Sequence, residues 1–177
     1  RLPFNDTYTV MVTKKFQKKY KIYSISDLAK AINSGKKLIC ATDAEYAGRP
    51  DGINALQKRY GFKFHNLVLM DPGLIYLALK NNRIQCGTGY STDGRIGVYN
   101  LVNLKDNKHF FPIYNPAPVV RESIYKKYPE IRSILLPLSK ELTTSAIIKL
   151  NSEVDVDHKN PQAVAKAWLE EKHLIKS

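Results

Sequence analysis

Residues 37–61, KLICATDAEYAGRPDGINALQKRYG, contain the unit of structure from which the fold can be inferred. Lys37 to Ala41 is a compact apolar run and predicts a buried β-strand. Ala47 to Gly52 is rich in glycine, proline and aspartate and predicts a turn. Ile53 to Tyr60 then predicts a helix, which Gly61 ends. This strand–turn–helix order is the building unit of an α/β fold.

The same alternation continues on both sides of that stretch. Further strands are predicted at Tyr8–Thr13, Leu67–Met70, Ile84–Gly89, Val98–Leu104 and Lys108–Pro112, and further helices at Ser26–Asn33 and Leu74–Lys80. Because strand and helix alternate up to about Leu104, we expect a mostly parallel sheet with helices on its faces. After Pro112 the chain is mostly helical, with helices predicted at 121–127, 130–138, 143–151 and 161–172. This tail has too few strands to form a second domain of the same kind.

Composition excludes several classes of protein. The 177 residues are 44% hydrophobic and 25% charged, which is ordinary for a globular chain. No run of eighteen apolar residues is present, so no segment is expected to span a membrane, and no signal-peptide pattern is visible. Because the sequence opens on Arg1 without a methionine, we expect a processed, truncated or excised piece. Cys40 and Cys86 are interpreted as buried small side chains, or as a disulfide if their strands are neighbours.

The formal charge of +12 raises nucleic-acid binding as a first hypothesis. Against it, the lysines are spread along the whole length in short clusters, and no zinc-finger, arginine-rich or aromatic RNA-binding motif is present. On charge alone we give nucleic-acid binding a prior of roughly one in ten. Attraction to an anionic membrane surface or to an acidic partner is equally compatible with this charge.

Four turn segments each carry a tyrosine or an arginine, and they comprise residues 7–9, 47–52, 89–95 and 112–116. Turns hold side chains at the rims of sheets, where ligands are bound. The ring faces of Tyr8, Tyr90 and Tyr114 attract a quaternary ammonium. The guanidinium of Arg49 can hold a carboxylate by two parallel hydrogen bonds. Together these residues predict a site for a ligand that bears both groups.

Tyr90, Tyr114 and Arg49 also have a purely structural interpretation. Tyr90 and Tyr114 can close the edge of the core. Arg49 can tie its own turn together by pairing with Asp51 or Glu45, and on the sequence alone this is favoured slightly, because a turn arginine beside an aspartate often does so.

An enzyme acting on a small zwitterion is the rival hypothesis from another class. No Gly-x-Ser-x-Gly, His-Glu-x-x-His or paired-acid motif is present, and the four histidines are isolated in the sequence. A base near the site would have to come from a short list of acids: Asp43, Glu45, Asp51 and Asp93. We therefore predict no catalysis, no cofactor and no metal ion.

The motifs taken together resemble the substrate-binding proteins of ABC importers for glycine betaine, choline, carnitine and related osmoprotectants. The resemblance rests on residues 41–61, 89–96 and 106–115, with 150–156 similar to the family's near-terminal motif. Four motifs in the right order cover essentially the whole chain.

The resemblance implies a two-lobed, type II periplasmic-binding-protein-like α/β fold of the Venus-flytrap kind. Residues 8–111 would form the second lobe, and 112–177 the C-terminal part of the first, whose N-terminal part is absent. Tyr8, Tyr90 and Tyr114 would belong to an aromatic cage for the trimethylammonium group, with Arg49 as the carboxylate partner. Supporting contacts are expected from Thr42, Asp43, Asp51, Thr92 and Asp93.

The resemblance also implies partners and a location. The ligand would be a quaternary ammonium of the glycine betaine, choline or carnitine type, with ergothioneine as the alternative. The protein would work outside the cytoplasm with an ABC permease subunit, as a free protein, a lipoprotein or a permease-fused domain. A homodimer of the fragment is a further expectation, since the site would otherwise be incomplete.

Overall fold

The computed structural model describes residues 1–176, and the chain divides into two compact units. Unit 2 comprises residues 7–91 and 95–112. Unit 1 comprises residues 1–6, residues 92–94 and the chain from residue 113 onward.

Unit 2 is built on a five-stranded sheet with the strand order β3–β2–β4–β1–β5. The strands are β1 (Tyr8–Thr13), β2 (Ile39–Thr42), β3 (Asn66–Leu69), β4 (Cys86–Tyr90) and β5 (Leu101–Asn103). Strand β2 pairs in parallel with β3 and β4, whereas β1 is antiparallel to β4 and β5. The expected parallel arrangement therefore holds for the β3–β2–β4 half of the sheet, and the other half is antiparallel.

The helices of unit 2 lie between these strands in the chain. They are α1 (Lys14–Tyr20), α2 (Ile25–Asn33), α3 (Ala44–Gly48), α4 (Ile53–Tyr60), α5 (Pro72–Lys80) and α6 (Arg95–Val98). Helix α2 begins with a capping box, because the Ser24 hydroxyl accepts from the Asp27 N–H and the Asp27 carboxylate accepts from the Ser24 N–H. Helices α2, α4 and α5 confirm the sequence predictions, whereas α1, α3 and α6 were not predicted.

Both faces of the sheet are covered by apolar side chains. Val10 and Val12 of β1 belong to one buried cluster, which includes Leu28 of α2 and Leu56 of α4. Met11, between the two valines, belongs to a second cluster with side chains of α5. Successive residues of a strand point to opposite faces, so β1 is buried on both sides. The sheet is a rigid platform that fixes the positions of the turns at its edges.

The strand predicted at 108–112 is wrong. The Lys108 N–H donates to the Tyr60 Oη at 3.0 Å, and the Phe111 N–H donates to the Asp106 Oδ2 at 2.8 Å. These two backbone N–H groups are thus satisfied by side chains and not by the backbone of a neighbouring strand. The strand predicted at 98–104 is shorter than expected, because Asn100 adopts a left-handed backbone (φ 54°) between α6 and β5.

Cys40 and Cys86 are joined by a disulfide bond. They face each other in the register of β2 and β4, with their Cα atoms 4.6 Å apart, which lies within the usual span of a disulfide. Of the two interpretations of these cysteines, the structure shows the disulfide, and both residues are also buried.

Within residues 1–176, unit 1 contributes four helices: α7 (Glu122–Lys127), α8 (Ile131–Glu141), α9 (Thr144–Asp155) and α10 (Pro161–Glu171). They confirm the helical tail predicted from the sequence. Helix α10 begins as expected, because the Asn160 side chain accepts from the backbone N–H groups of Gln162 and Ala163 and Pro161 occupies the first turn. No helix within residues 1–176 has both the length and the apolar character that crossing a bilayer requires.

Candidate functional site

A pocket of about 490 Å³ lies in unit 2 where three parallel strands end. Strands β2, β3 and β4 end at Thr42, Leu69 and Tyr90, and the pocket is formed by the residues at or just after these ends. Its lining consists of Asp43, Ala44, Glu45, Leu69, Met70, Asp71, Pro72 and Tyr90. The carboxyl end of parallel strands is the usual ligand edge of an open α/β sheet. We call this side of unit 2 the ligand edge.

Tyr8 makes ring contacts with two other tyrosines at the ligand edge. Tyr8 and Tyr90 are direct partners in the β1–β4 register, so their side chains are neighbours on one face. Their ring centroids are 4.9 Å apart, and their hydroxyls share a hydrogen bond of 3.2 Å. Tyr46 of α3 stacks on Tyr8 with a centroid distance of 4.2 Å. In this tyrosine stack (Tyr46, Tyr8, Tyr90), Tyr8 is buried and Tyr90 reaches the pocket, 36% exposed.

Two rings of the tyrosine stack, Tyr8 and Tyr46, are held neutral by their surroundings. Burial, the hydrogen bond to Tyr90 and the nearby carboxylates of Asp43 and Glu45 all raise the pKa of Tyr8 well above its ordinary value. Burial likewise raises the pKa of Tyr46, with Asp51 as the next cause. Neutral phenol rings beside carboxylates form an environment that favours a cation over an anion.

Tyr46 is a site residue that sequence reasoning missed. It lies on α3, where a turn was expected to begin at Ala47. The signal was present, because Asp43 before Ala44 and Glu45 is the pattern of a helix start. The Asp43 Oδ1 accepts from the Tyr46 N–H at 2.8 Å and so caps α3. The Tyr46 hydroxyl is buried without a hydrogen-bond partner among residues 1–176.

Thr42 and Asp43, predicted as supporting residues, are buried and take part in local structure. The Thr88 hydroxyl donates to the Thr42 Oγ1 at 2.8 Å, which ties β4 to β2 just before the ligand edge. Asp43 lines the pocket and caps α3, as described above. Thr42 therefore supports the strand ends, whereas Asp43 lies at the pocket itself.

Arg49 pairs with Asp51 through two hydrogen bonds. Its Nε and one terminal nitrogen each lie 2.9 Å from a carboxylate oxygen of Asp51, and its other terminal nitrogen lies 3.9 Å from Glu45. These hydrogen bonds lower the pKa of the Asp51 carboxyl. The turn also requires Gly52, because a Cβ there would overlap the carbonyl group of Tyr46. The structural interpretation of Arg49 is thus present in the molecule, and part of its guanidinium remains exposed.

The remaining predicted site residues belong to unit 1. The Thr92 hydroxyl donates to Asp6 at 2.6 Å, and the Asn151 side chain donates to the Thr92 carbonyl at 3.1 Å. Asp93 lies in the same turn, partly buried. The Tyr114 N–H donates to the Asn5 side chain at 2.7 Å, and the Tyr114 side chain is 42% exposed. The structure therefore brings Tyr8 and Tyr90 together in one unit and places Thr92, Asp93 and Tyr114 in the other.

Comparison with known proteins assigns the class. Residues 1–171 match the model of the substrate-binding domain of ABC-type glycine betaine transport systems. A glycine-betaine-binding protein of Pseudomonas aeruginosa is 38% identical over 97% of this chain and 58% of its own length. The carnitine transport binding protein OpuCC of Listeria monocytogenes is 39% identical over 97% of this chain and 55% of its own length. The crystal structure of a glycine betaine/carnitine/choline ABC transporter matches with a TM-score of 0.86 and 38% identity over 97% of this chain and 62% of that one.

The fold is α/β and periplasmic-binding-protein-like, as the sequence predicted. The chain belongs to the family of substrate-binding domains of ABC-type glycine betaine transport systems. It spans a little more than half the length of the two curated relatives described above.

Proposed function

We propose that this chain captures a quaternary ammonium osmoprotectant of the glycine betaine or carnitine type for an ABC importer, outside the cytoplasm. The observation that carries the proposal is the tyrosine stack, which presents Tyr90 to a pocket lined by Asp43, Glu45 and Asp71. Aromatic faces and nearby carboxylates together select a cation that is too weakly hydrated to need direct hydrogen bonds. The role is binding without catalysis, and the relatives' names describe binding and transport.

Cation–π contacts and one ion pair together provide enough binding free energy for micromolar affinity. Each tyrosine face contributes about 0.5–2 kcal/mol to binding a cation, depending on desolvation. Three or four such faces with one ion pair reach micromolar affinity, about −8 kcal/mol. We therefore assign the ammonium to Tyr8, Tyr90 and Tyr114, with Tyr46 supporting Tyr8.

The two units are assigned to the two lobes of a longer protein. Residues 8–111 form the second lobe and residues 112–177 the C-terminal part of the first. Helices α7, α8 and α9 bury none of their side chains, and Ile134 and Leu136 are 66% and 50% exposed. Apolar surface of this extent marks a contact with further protein, which we assign to the part of the relatives' length that this sequence does not span.

Calorimetric titration tests the proposal directly. The chain, and the chain extended at its amino end to the length of its relatives, would be titrated with glycine betaine, choline, carnitine and ergothioneine. We expect micromolar binding of at least one by the extended chain. Binding by neither would contradict the proposal. Chemical turnover of a bound ligand would favour the enzyme hypothesis instead, and a steep salt dependence of DNA binding would favour a polyanion-binding domain.

Arg49 is expected to discriminate between ligands with and without a carboxylate. The Arg49 side chain is 36% exposed while it holds Asp51, so a ligand carboxylate that reaches it can compete with Asp51 for its N–H donors. Replacing Arg49 by alanine should weaken glycine betaine about tenfold or more and choline much less, because a charge-assisted hydrogen bond contributes about 1.5–3 kcal/mol. Calorimetry on both ligands checks this. Equal losses would show that Arg49 only holds its turn.

Tyr114 and Tyr125 offer a matched pair in unit 1, since they are 42% and 40% exposed. Tyr114→Ala should weaken binding of a quaternary ammonium about tenfold in the extended protein, because it removes one cage face. Tyr125→Ala should leave affinity within about twofold, since exposed substitutions cost little. Equal effects of the two substitutions in calorimetry would remove Tyr114 from the cage.

A further inference from the structure

The positive charge of the chain is concentrated in one unit. Unit 2 carries 17 Lys and Arg residues against six Asp and Glu, a formal charge of +11. Unit 1 carries 11 against ten, a formal charge of +1. The cations are spread about evenly over the two units, and the asymmetry in net charge arises because unit 2 holds only six of the 16 acids.

Six of the 17 cations of unit 2 lie at the edge of the sheet opposite the ligand edge. Strands β2, β3 and β4 begin at this edge, and β1, which is antiparallel to β4, ends there. The residues that flank these strand ends include six exposed cations: Lys14, Lys15, Lys36, Lys37, Lys63 and Arg83. We call these six residues the basic edge. They extend across four adjacent strands.

Helix α1 enlarges the basic edge into a continuous surface. The ammonium groups of Lys19 and Lys36 lie 5.2 and 4.8 Å from the centre of the Tyr20 ring, so the end of α1 and the turn before β2 are in contact. A cleft of about 220 Å³ beside them is lined by Lys15 and Lys19 together with the rings of Phe16 and Tyr20. Aromatic rings therefore lie among the ammonium groups.

Among the described residues, no salt bridge neutralises the basic edge. Within residues 1–176, no carboxylate forms a salt bridge within 4.0 Å of a basic-edge cation. Four of the six acids of unit 2 lie at or beside the ligand edge: Asp43, Glu45 and Asp71 line the pocket, and Asp51 pairs with Arg49. These four are separated from the basic edge along the direction of the strands, and the basic-edge cations are exposed to an external anion.

We propose that the basic edge docks unit 2 onto an anionic phospholipid surface. Five of its six cations are lysines, which act as point charges and do not form the planar fork of arginine. They are spread along a sheet edge that spans four strands, which suits a broad array of phosphate charges. Tyr20, 39% exposed among them, is the kind of side chain that settles at a membrane–water interface. A polybasic surface gains affinity for anionic lipid with each added lysine.

Sedimentation with lipid vesicles tests this surface. The whole chain, without ligand, would be mixed with vesicles of phosphatidylcholine alone, and with vesicles containing about one third phosphatidylglycerol. We expect binding only to the anionic vesicles, and its loss as salt rises from about 0.1 M to about 0.5 M. The basic-edge variant carries Lys14→Glu, Lys15→Glu, Lys36→Glu and Lys37→Glu. Its partition onto anionic vesicles should fall about 100-fold or more, since each lysine contributes roughly fivefold.

The control variant makes the same change of net charge in unit 1. It carries Lys127→Glu, Lys140→Glu, Lys149→Glu and Lys176→Glu, four exposed residues without a salt bridge among residues 1–176. We expect its partition to fall less than about fivefold, the contribution of a single lysine at the surface. Equal losses in both variants would show an effect of net charge only, and no loss in either would equally overturn the proposal.

A comparison of duplex DNA with anionic vesicles distinguishes a nucleic-acid site from a lipid-binding surface. If duplex DNA bound more tightly than anionic vesicles at equal salt, and lost binding in the basic-edge variant, the surface would be a nucleic-acid site instead. Circular dichroism checks that each variant is folded. If the glutamate substitutions unfold the chain, Lys→Gln substitutions at the same four positions replace them in the vesicle experiment. Calorimetry with osmoprotectants reports on the ligand edge separately, so failure of one proposal leaves the other testable.

Discussion

Replacing Tyr8 by alanine should lower the affinity for a quaternary ammonium by more than about 100-fold, or about 2.7 kcal/mol. Tyr8 is the ring that contacts both others in the tyrosine stack, with its centroid 4.2 Å from that of Tyr46 and 4.9 Å from that of Tyr90. Its loss removes one face, about 0.5–2 kcal/mol, and also the hydroxyl that fixes Tyr90 at the pocket. Calorimetric titration of the extended chain measures the effect. Tyr8→Phe keeps the ring and should lose less than about tenfold, the worth of one hydrogen bond.

Stability must be separated from binding in this experiment, because Tyr8 is buried in the core of unit 2. Removing a buried aromatic ring costs about 3–5 kcal/mol of stability. Tyr60 is a matched control: it is 5% exposed, belongs to the same core cluster, and hydrogen-bonds to Asp106 away from the pocket lining. Tyr60→Ala should destabilise the fold comparably and leave the affinity of the folded fraction unchanged. Normal binding by folded Tyr8→Ala would remove Tyr8 from the site.

Removing the disulfide is expected to have the largest effect on stability. Cys40 and Cys86 are 46 positions apart in the sequence. A cross-link that closes a loop of this length restricts the unfolded chain and stabilises the folded one by about 4 kcal/mol in the chain-entropy account. The double variant Cys40→Ala, Cys86→Ala should therefore show a free energy of unfolding in urea lower by about 2–4 kcal/mol.

Reduction of the unmodified protein supplies the control for that measurement. Adding a thiol reductant should lower the unfolding midpoint of the natural chain towards that of the double variant, and should leave the double variant itself unchanged. A difference below about 1 kcal/mol, the mean effect of an ordinary substitution, would show that the bond contributes little to the folded state.

Much of the fold follows from local sequence patterns. Strand β1 matches its predicted bounds, Tyr8–Thr13, because four of its six residues are β-branched. Helix α4 likewise follows from apolar spacing and the left-handed glycine that ends it. The absence of a strand at 108–112 could not be predicted, because backbone N–H groups there donate to the side chains of Tyr60 and Asp106. Tyr60 is distant in the sequence. Such long-range acceptors leave no local pattern.

The candidate site could likewise be predicted only where local sequence patterns position its residues. Tyr8 begins one predicted strand and Tyr90 directly follows another, so both could be expected at one edge of the sheet. The register confirms that they are partners. Tyr46 was missed because the helix start at Asp43 was not recognised ahead of the turn predicted at 47–52. Arg49 was recognised together with its local partner Asp51, because the two are only two residues apart. The role of Tyr114 in binding stays a prediction, since it depends on the arrangement of two units.

The length of the central strands sets how strongly the two charged edges of unit 2 affect each other. Strand β4 has five residues, so the basic edge and the ligand edge are separated by roughly 17 Å at about 3.3 Å per residue. This is about twice the Debye length of roughly 8 Å at physiological ionic strength. Salt therefore insulates a trimethylammonium in the pocket from the lysines behind it. In dilute solution, where the Debye length grows to about 30 Å, the same lysines repel it. We therefore expect unit 2 to bind the trimethylammonium group of a ligand more tightly at physiological salt than in dilute solution.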